Sequence, residues 1–142
     1  MIILDTDILS LLDLRKGQTY INLAQRLSRP EVGDVYTTIV SFEEQMRGWL
    51  AVIASASDTT RQVRAYDRLH RMLRAYHSRP LLDCDTKSAT VFQSLRRSVR
   101  IGTLDLRIAA IAVAHDALLV TRNLVDFRKV PELRAEDWTQ GL

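Results

Sequence analysis

Residues 1–10 read Met-Ile-Ile-Leu-Asp-Thr-Asp-Ile-Leu-Ser, an aliphatic run interrupted by three polar residues before the apolar pattern resumes. Residues 1–4 predict a short buried strand. Ile8, Leu9, Leu11 and Leu12 then recur with helical spacing, so Asp5-Thr6-Asp7 falls where a strand hands over to a helix. The alternation continues along the chain. Residues 18–29 predict a helix closed by Pro30, and 35–40 are the best β run by propensity. Ser41 opens a helix with Phe42, Met46, Trp49, Leu50 and Ile53 on its apolar face. Residues 59–77 form a long amphipathic helix whose stripe is Val63, Tyr66, Leu69, Leu73 and Tyr76. Leu81-Leu82 is a brief strand, and 86–100 are helical. Asp105 leads a helix through His115 that is apolar almost all round, and 118–121 and 133–138 supply two more strands. Strands alternating with helices imply the α/β class. The expected architecture is three-layer α/β/α around a central, mostly parallel sheet of four to five strands.

The chain of 142 residues suits a single domain over 1–142. With 46% apolar and 26% charged residues it is neither disordered nor fibrous. One cysteine, Cys84, excludes an internal disulfide and a thiolate zinc cluster, and fits a reducing cytosol. Apolar stretches such as 108–114 fall far short of the roughly 20 residues a membrane span needs. The opening residues carry no basic leader, so a cytoplasmic protein is expected. The net charge of +3 is unevenly spread: residues 61–100 hold ten basic and three acidic groups. Seventeen of the twenty basic residues are arginine, whose planar fork matches phosphate. That segment reads either as a surface for a polyanion or as a solvated helix face.

In open α/β sheets ligands sit beyond the carboxyl ends of the strands. Asp5 follows the first predicted strand and Glu43 and Glu44 the second. Asp126 follows the fourth, and Asp105 heads the buried helix leading into it. Carboxylates gathered on one rim repel one another unless a cation lies between them. Oxygen donors favour Mg²⁺, or Mn²⁺, over zinc. Each acid also reads as helix capping: Ser41-Phe42-Glu43-Glu44 is a capping box, Asp105 and Asn123 stand at helix heads, and Asp5 or Asp7 precedes the first helix. Capping alone does not explain acids that follow strand ends on one side of a sheet.

Residues 3–10, Ile-Leu-Asp-Thr-Asp-Ile-Leu-Ser, resemble the opening of PIN-domain ribonucleases, particularly the VapC toxins of toxin–antitoxin pairs. Ser41-Phe42-Glu43-Glu44-Gln45-Met46-Arg47-Gly48, Asp105-Leu106-Arg107-Ile108-Ala109-Ala110, and Leu119-Val120-Thr121-Arg122-Asn123-Leu124-Val125-Asp126-Phe127 match further family motifs in order. The resemblance implies a Mg²⁺-dependent endoribonuclease with Asp5, Glu44, Asp105 and Asp126 as catalytic and metal-holding acids. Either Asp126 or Asn123 fills the fourth position; Asp126 is preferred, with Thr6, Thr121 and Asn123 as supporting polar groups. Asp7 stands where the family often has asparagine. Arg47, Arg107, Arg122, Arg96, Arg97 and Arg100 would contact the RNA backbone. With 6% aromatic residues, recognition by RNA shape is expected over base stacking. His70 and His77 read as surface or packing residues rather than ligands. A VapB-like antitoxin, lying along the first helices and the helix bearing Trp49, and a homodimer complete the implied partners. Two other functions compete: a PIN-fold module that binds RNA or protein without catalysis, and a Mg²⁺-dependent phosphohydrolase of the haloacid-dehalogenase type. The latter matches only Asp5-Thr6-Asp7, with Leu9 where threonine or valine is wanted.

Overall fold

In the computed structural model, which describes residues 1–141, strand β1 (Ile2–Leu4) runs through the middle of the molecule. Its three side chains are buried, and their alternation sets the layers. Ile3 joins a core with Ile108, Ile111, Leu119 and Phe127. Ile2 and Leu4 point the other way, into a core with Ile8, Leu9, Leu23, Met72 and Tyr76. A strand that packs on both faces needs helices above and below it, and the rest of the chain supplies them.

Helices α1 (Thr6–Leu14) and α2 (Gly17–Leu27) follow β1, and a 3₁₀ turn (Pro30–Val32) leads into β2 (Val35–Thr38). Next come α3 (Ile39–Ser55), α4 (Thr59–His77), β3 (Leu81–Leu82), α5 (Thr86–Leu95) and α6 (Thr103–Ala114). Then β4 (Leu118–Val120), α7 (Leu124–Phe127) and β5 (Arg134–Glu136) complete the order. The sheet runs β3-β2-β1-β4-β5 with every pair parallel. It is the expected α/β sheet, with five strands. All carboxyl ends lie along one edge, so Asp5, Thr38 and Thr121 emerge side by side from β1, β2 and β4. Helix α6 is buried through Ile108, Ala109, Ala110, Ile111 and Ala112, as its uniform apolarity requires.

Four local expectations are corrected. Helix α3 begins at Ile39, because Thr38 is its N-cap and accepts the Ser41 amide at 3.0 Å. Ser41-Phe42-Glu43-Glu44 is therefore no capping box, and Glu44 lies inside the helix without a capping duty. Likewise β2 stops at Thr38 rather than Val40. Helix α5 ends at Leu95, where the amides of Ser98 and Val99 both turn back to its carbonyl at 3.1 and 2.9 Å. In α4 the inward face is Ala65, Leu69, Met72 and Tyr76, while Val63, Tyr66 and Leu73 are 62, 57 and 56% exposed. Two apolar stripes share that helix, and helical periodicity cannot say which of them the fold covers. Among the described residues no helix is long and apolar enough to cross a membrane.

Candidate active site

Asp5 closes β1 and caps α1. Its Oδ1 accepts the Thr6 amide at 2.8 Å and its Oδ2 accepts the Thr121 hydroxyl at 2.7 Å. Only 4% of the residue is exposed. Burial, then the neighbouring charge of Asp7, outweigh these hydrogen bonds and push its pKa up to about 7; the charge of Asp105 adds to the rise. The Thr121 hydroxyl also accepts the Asn123 amide at 3.0 Å, so the loop after β4 is tied to Asp5 through one side chain.

The interior position of Glu44 on α3 brings its Oε2 within 3.3 Å of the Thr6 hydroxyl, which also lies 3.1 Å from Ser41 Oγ. Partial burial raises the Glu44 pKa, and the charge of Asp105 raises it further. Asp105 occupies the first turn of α6. Gly102 is the N-cap there and makes no side-chain bond, so capping does not account for Asp105. Its carboxyl is also held above the ordinary range, first by burial, then by Asp126 and Asp7. In α7 the Asn123 side chain accepts the Asp126 amide at 3.5 Å and donates to Asp126 Oδ2 at 3.1 Å; Lys129 reaches the other carboxylate oxygen at 3.5 Å. Asp105 is thus the common electrostatic neighbour of Asp5, Glu44 and Asp126, and the four acids belong to four separate elements. Thr6, Thr121 and Asn123 each contact one of them.

The arginines divide. Arg47 pairs with Glu43 at 2.6 Å, and Arg122 lies 3.8 Å from Asp7. Arg96 and Arg107 both lie over the Phe92 ring, at 6.0 and 5.6 Å from its centroid. Arg97 is exposed, and Arg100 donates to the Arg96 carbonyl at 2.7 Å. His70 and His77 are exposed on α4.

Three residues escaped the sequence reading. Asp7 has a role: its Oδ2 accepts the Arg122 amide at 3.1 Å, and its charge raises Asp5, Glu44 and Asp105 alike. Its position two residues after Asp5, on the first turn of the same helix, was the available signal. Ser41 is fully buried and hydrogen-bonds both threonine hydroxyls, Thr6 and Thr38. Tyr76 fits the apolar stripe of α4, yet its buried hydroxyl has no hydrogen-bond partner, and Phe42 packs edge-on against its ring at 5.3 Å.

The donor chemistry suits a divalent cation. Every candidate ligand is a hard oxygen, the carboxylates raise one another's pKa, and the buried Asp7 Oδ1 lacks a partner. The spacing is that of facing charges rather than a closed cage. Among the described residues no three His, Cys, Asp or Glu side chains stand close enough together to hold an ion.

Comparison with known proteins places these features in context. The PIN domain family model matches residues 2–133. Ribonuclease VapC2 of Rickettsia felis is 35% identical over 63 residues, which cover 41% of this chain and 47% of that protein. The match therefore spans less than half of that relative's length. Among solved structures, VapBC2 from Rickettsia felis bound to a promoter DNA fragment superposes with a TM-score of 0.72 at 24% identity, covering 97% of this chain and 99% of that one. FitAcB from Neisseria gonorrhoeae gives 0.69 at 23% identity (96% and 97% covered), and DNA-bound VapBC from Salmonella typhimurium gives 0.70 at 20% (96% and 97%). At these identities the superpositions speak to the fold.

Proposed function

The chain belongs to the PIN domain family, and from that premise we propose that it is a Mg²⁺-dependent endoribonuclease acting as the toxin of a toxin–antitoxin pair. The observation that carries this reading is that Asp105 shares mutual charge repulsion with Asp5, Glu44 and Asp126, in an open arrangement at the carboxyl edge of a parallel sheet. The name of the Rickettsia relative supports the nuclease, and the VapBC complexes support an antitoxin partner.

Asp5, Asp105, Glu44 and Asp126 are the acids that would have to draw together to hold the ion. Bound there, Mg²⁺ supplies Lewis acidity, easing deprotonation of water and neutralising charge on the phosphate. Asp5 and Asp105 present buried or half-buried carboxylates on rigid elements. The Thr121 and Thr6 hydroxyls fix the outer oxygen of Asp5 and the head of Glu44, respectively. Asn123 holds Asp126 at the mouth of the site. Arg47, Arg107, Arg122, Arg96, Arg97 and Arg100 supply guanidinium groups for the RNA backbone. The exposed stripe of Val63, Tyr66 and Leu73 on α4, with Leu50 and Val52 on α3, suits an apolar protein segment such as an antitoxin helix. A homodimer is part of the same proposal.

The open spacing of the carboxylates favours one second reading, a PIN-fold module that binds RNA or protein without cutting it. Purified protein incubated with RNA in Mg²⁺ and in EDTA separates the two. Cleavage in Mg²⁺ that drops at least about 100-fold in EDTA is the expected result. Binding with no Mg²⁺-dependent cleavage supports the module instead.

A further inference from the structure

A groove of about 380 Å³ opens between α1, α3 and α4, beside the carboxylates and outside the contacts used above. Its walls continue those of the acidic site. Gln45, the residue after Glu44, donates to the Ser10 hydroxyl at 3.1 Å, and Ser10 donates to the Thr6 carbonyl at 3.0 Å. Both Gln45 and Ser10 line the groove. Its rim carries three guanidinium groups, Arg15, Arg68 and Arg79, against one carboxylate, Asp13. Arg68 lies 3.6 Å from Asp13, which leaves Arg15 and Arg79 without a carboxylate partner among the described residues. Arg15 ends α1 in a left-handed conformation (φ 51°), where the chain turns at the groove mouth. The half-buried indole of Trp49 also lines the groove, and the partnerless hydroxyl of Tyr76 belongs to a lining residue. The lining therefore combines an aromatic ring, unpaired cations and a spare hydrogen-bonding group, in a groove joined to the acidic site through Gln45 and Ser10.

We propose that this groove is a nucleotide subsite in which the RNA residue next to the scissile phosphate lays its base against Trp49 while its own phosphate meets Arg79 and Arg15. The excess of cations over carboxylates argues for a phosphate-bearing occupant, and the half-buried Trp49 ring in the lining suits a single stacked base. The subsite rests on the ribonuclease reading and deepens it. It also departs from the expectation that RNA shape is recognised over base stacking: what matters is where one aromatic stands, not how many there are.

Trp49 is a built-in reporter. The chain has two tryptophans, and Trp138 is 4% exposed with Arg26 stacked 4.7 Å above its ring. Wild-type protein in EDTA, where Mg²⁺-dependent cleavage is suppressed, titrated with an RNA trinucleotide, should show saturable quenching of tryptophan fluorescence. An abasic trinucleotide should bind about tenfold more weakly. Arg79→Gln should also weaken binding about tenfold, and Trp49→Phe should remove the quenching. The proposal is overturned if the trinucleotide gives no quenching, if the abasic analogue binds equally well, or if an amphipathic peptide quenches Trp49 and RNA does not. Cleavage of longer RNA by the same preparation in Mg²⁺ scores the nuclease reading separately, so failure of the subsite is distinguishable from failure of the enzyme.

Discussion

Asp5→Asn should lower RNA cleavage at least about 100-fold, a loss typical of removing a preorganised charge from a reaction site. The same substitution should stabilise the metal-free protein at pH 8. The native carboxyl titrates near 7 because it is buried and faces Asp7 and Asp105, whereas in the unfolded chain its value is the ordinary 3.8. Between those values the native state holds a proton that the unfolded state has lost. Stability therefore falls as pH rises through that window, and the full penalty is felt above it. Asparagine keeps an oxygen for the Thr6 amide and removes the charge. Urea melts of both proteins in EDTA at pH 5 and pH 8 should show a gain for the variant of the order of a few kcal/mol at the higher pH and a clearly smaller one at the lower, where the window is only partly crossed. Equal melts at pH 8 would mean that Asp5 is not under electrostatic stress.

Phe127→Ala should cost about 3–5 kcal/mol of stability, the range for emptying a buried aromatic site. Phe127 is fully buried with Ile3, Ile108, Ile111 and Leu119. It is also the one buried residue of α7, a four-residue helix that carries Asp126. Helices this short do not hold themselves together, so the anchor matters to the site as well as to the core. Urea unfolding measures the loss. A change below about 1 kcal/mol would mean that the cavity collapses at no cost, contrary to the packing described.

The sheet and its acidic edge were legible because their signals are local. Ile2-Ile3-Leu4 before Asp5-Thr6-Asp7 marks both a strand and its end, and the apolar run 108–114 marks a buried helix. Helix starts were less legible. Thr38 and Ser41 are both good caps, and only the end of the pairing of β2 with β3 at Thr38 decides between them. The outward turn of Val63, Tyr66 and Leu73 was hidden because their spacing fits a helix face as well as that of Ala65, Leu69, Met72 and Tyr76 does. Residues that act across long chain separations carry no local mark at all. Thr121 reaches Asp5 across 116 residues, and Tyr76 joins the site only because α4 folds back over α3. Among the acids, resemblance pointed to Glu44 and Asp105, and the fold supplied the missing physical argument by removing their capping duties.

The proposed cleavage depends on carboxylates of separate elements sharing one cation. A calorimetric Mg²⁺ titration of the wild-type protein, repeated on Asp105→Asn and Glu44→Gln, addresses this most directly. The prediction is a saturable binding event, weakened at least about tenfold in each variant and most in Asp105→Asn, the common neighbour of the other acids. A wild-type protein that takes up no Mg²⁺, or variants that bind it unchanged, would contradict it.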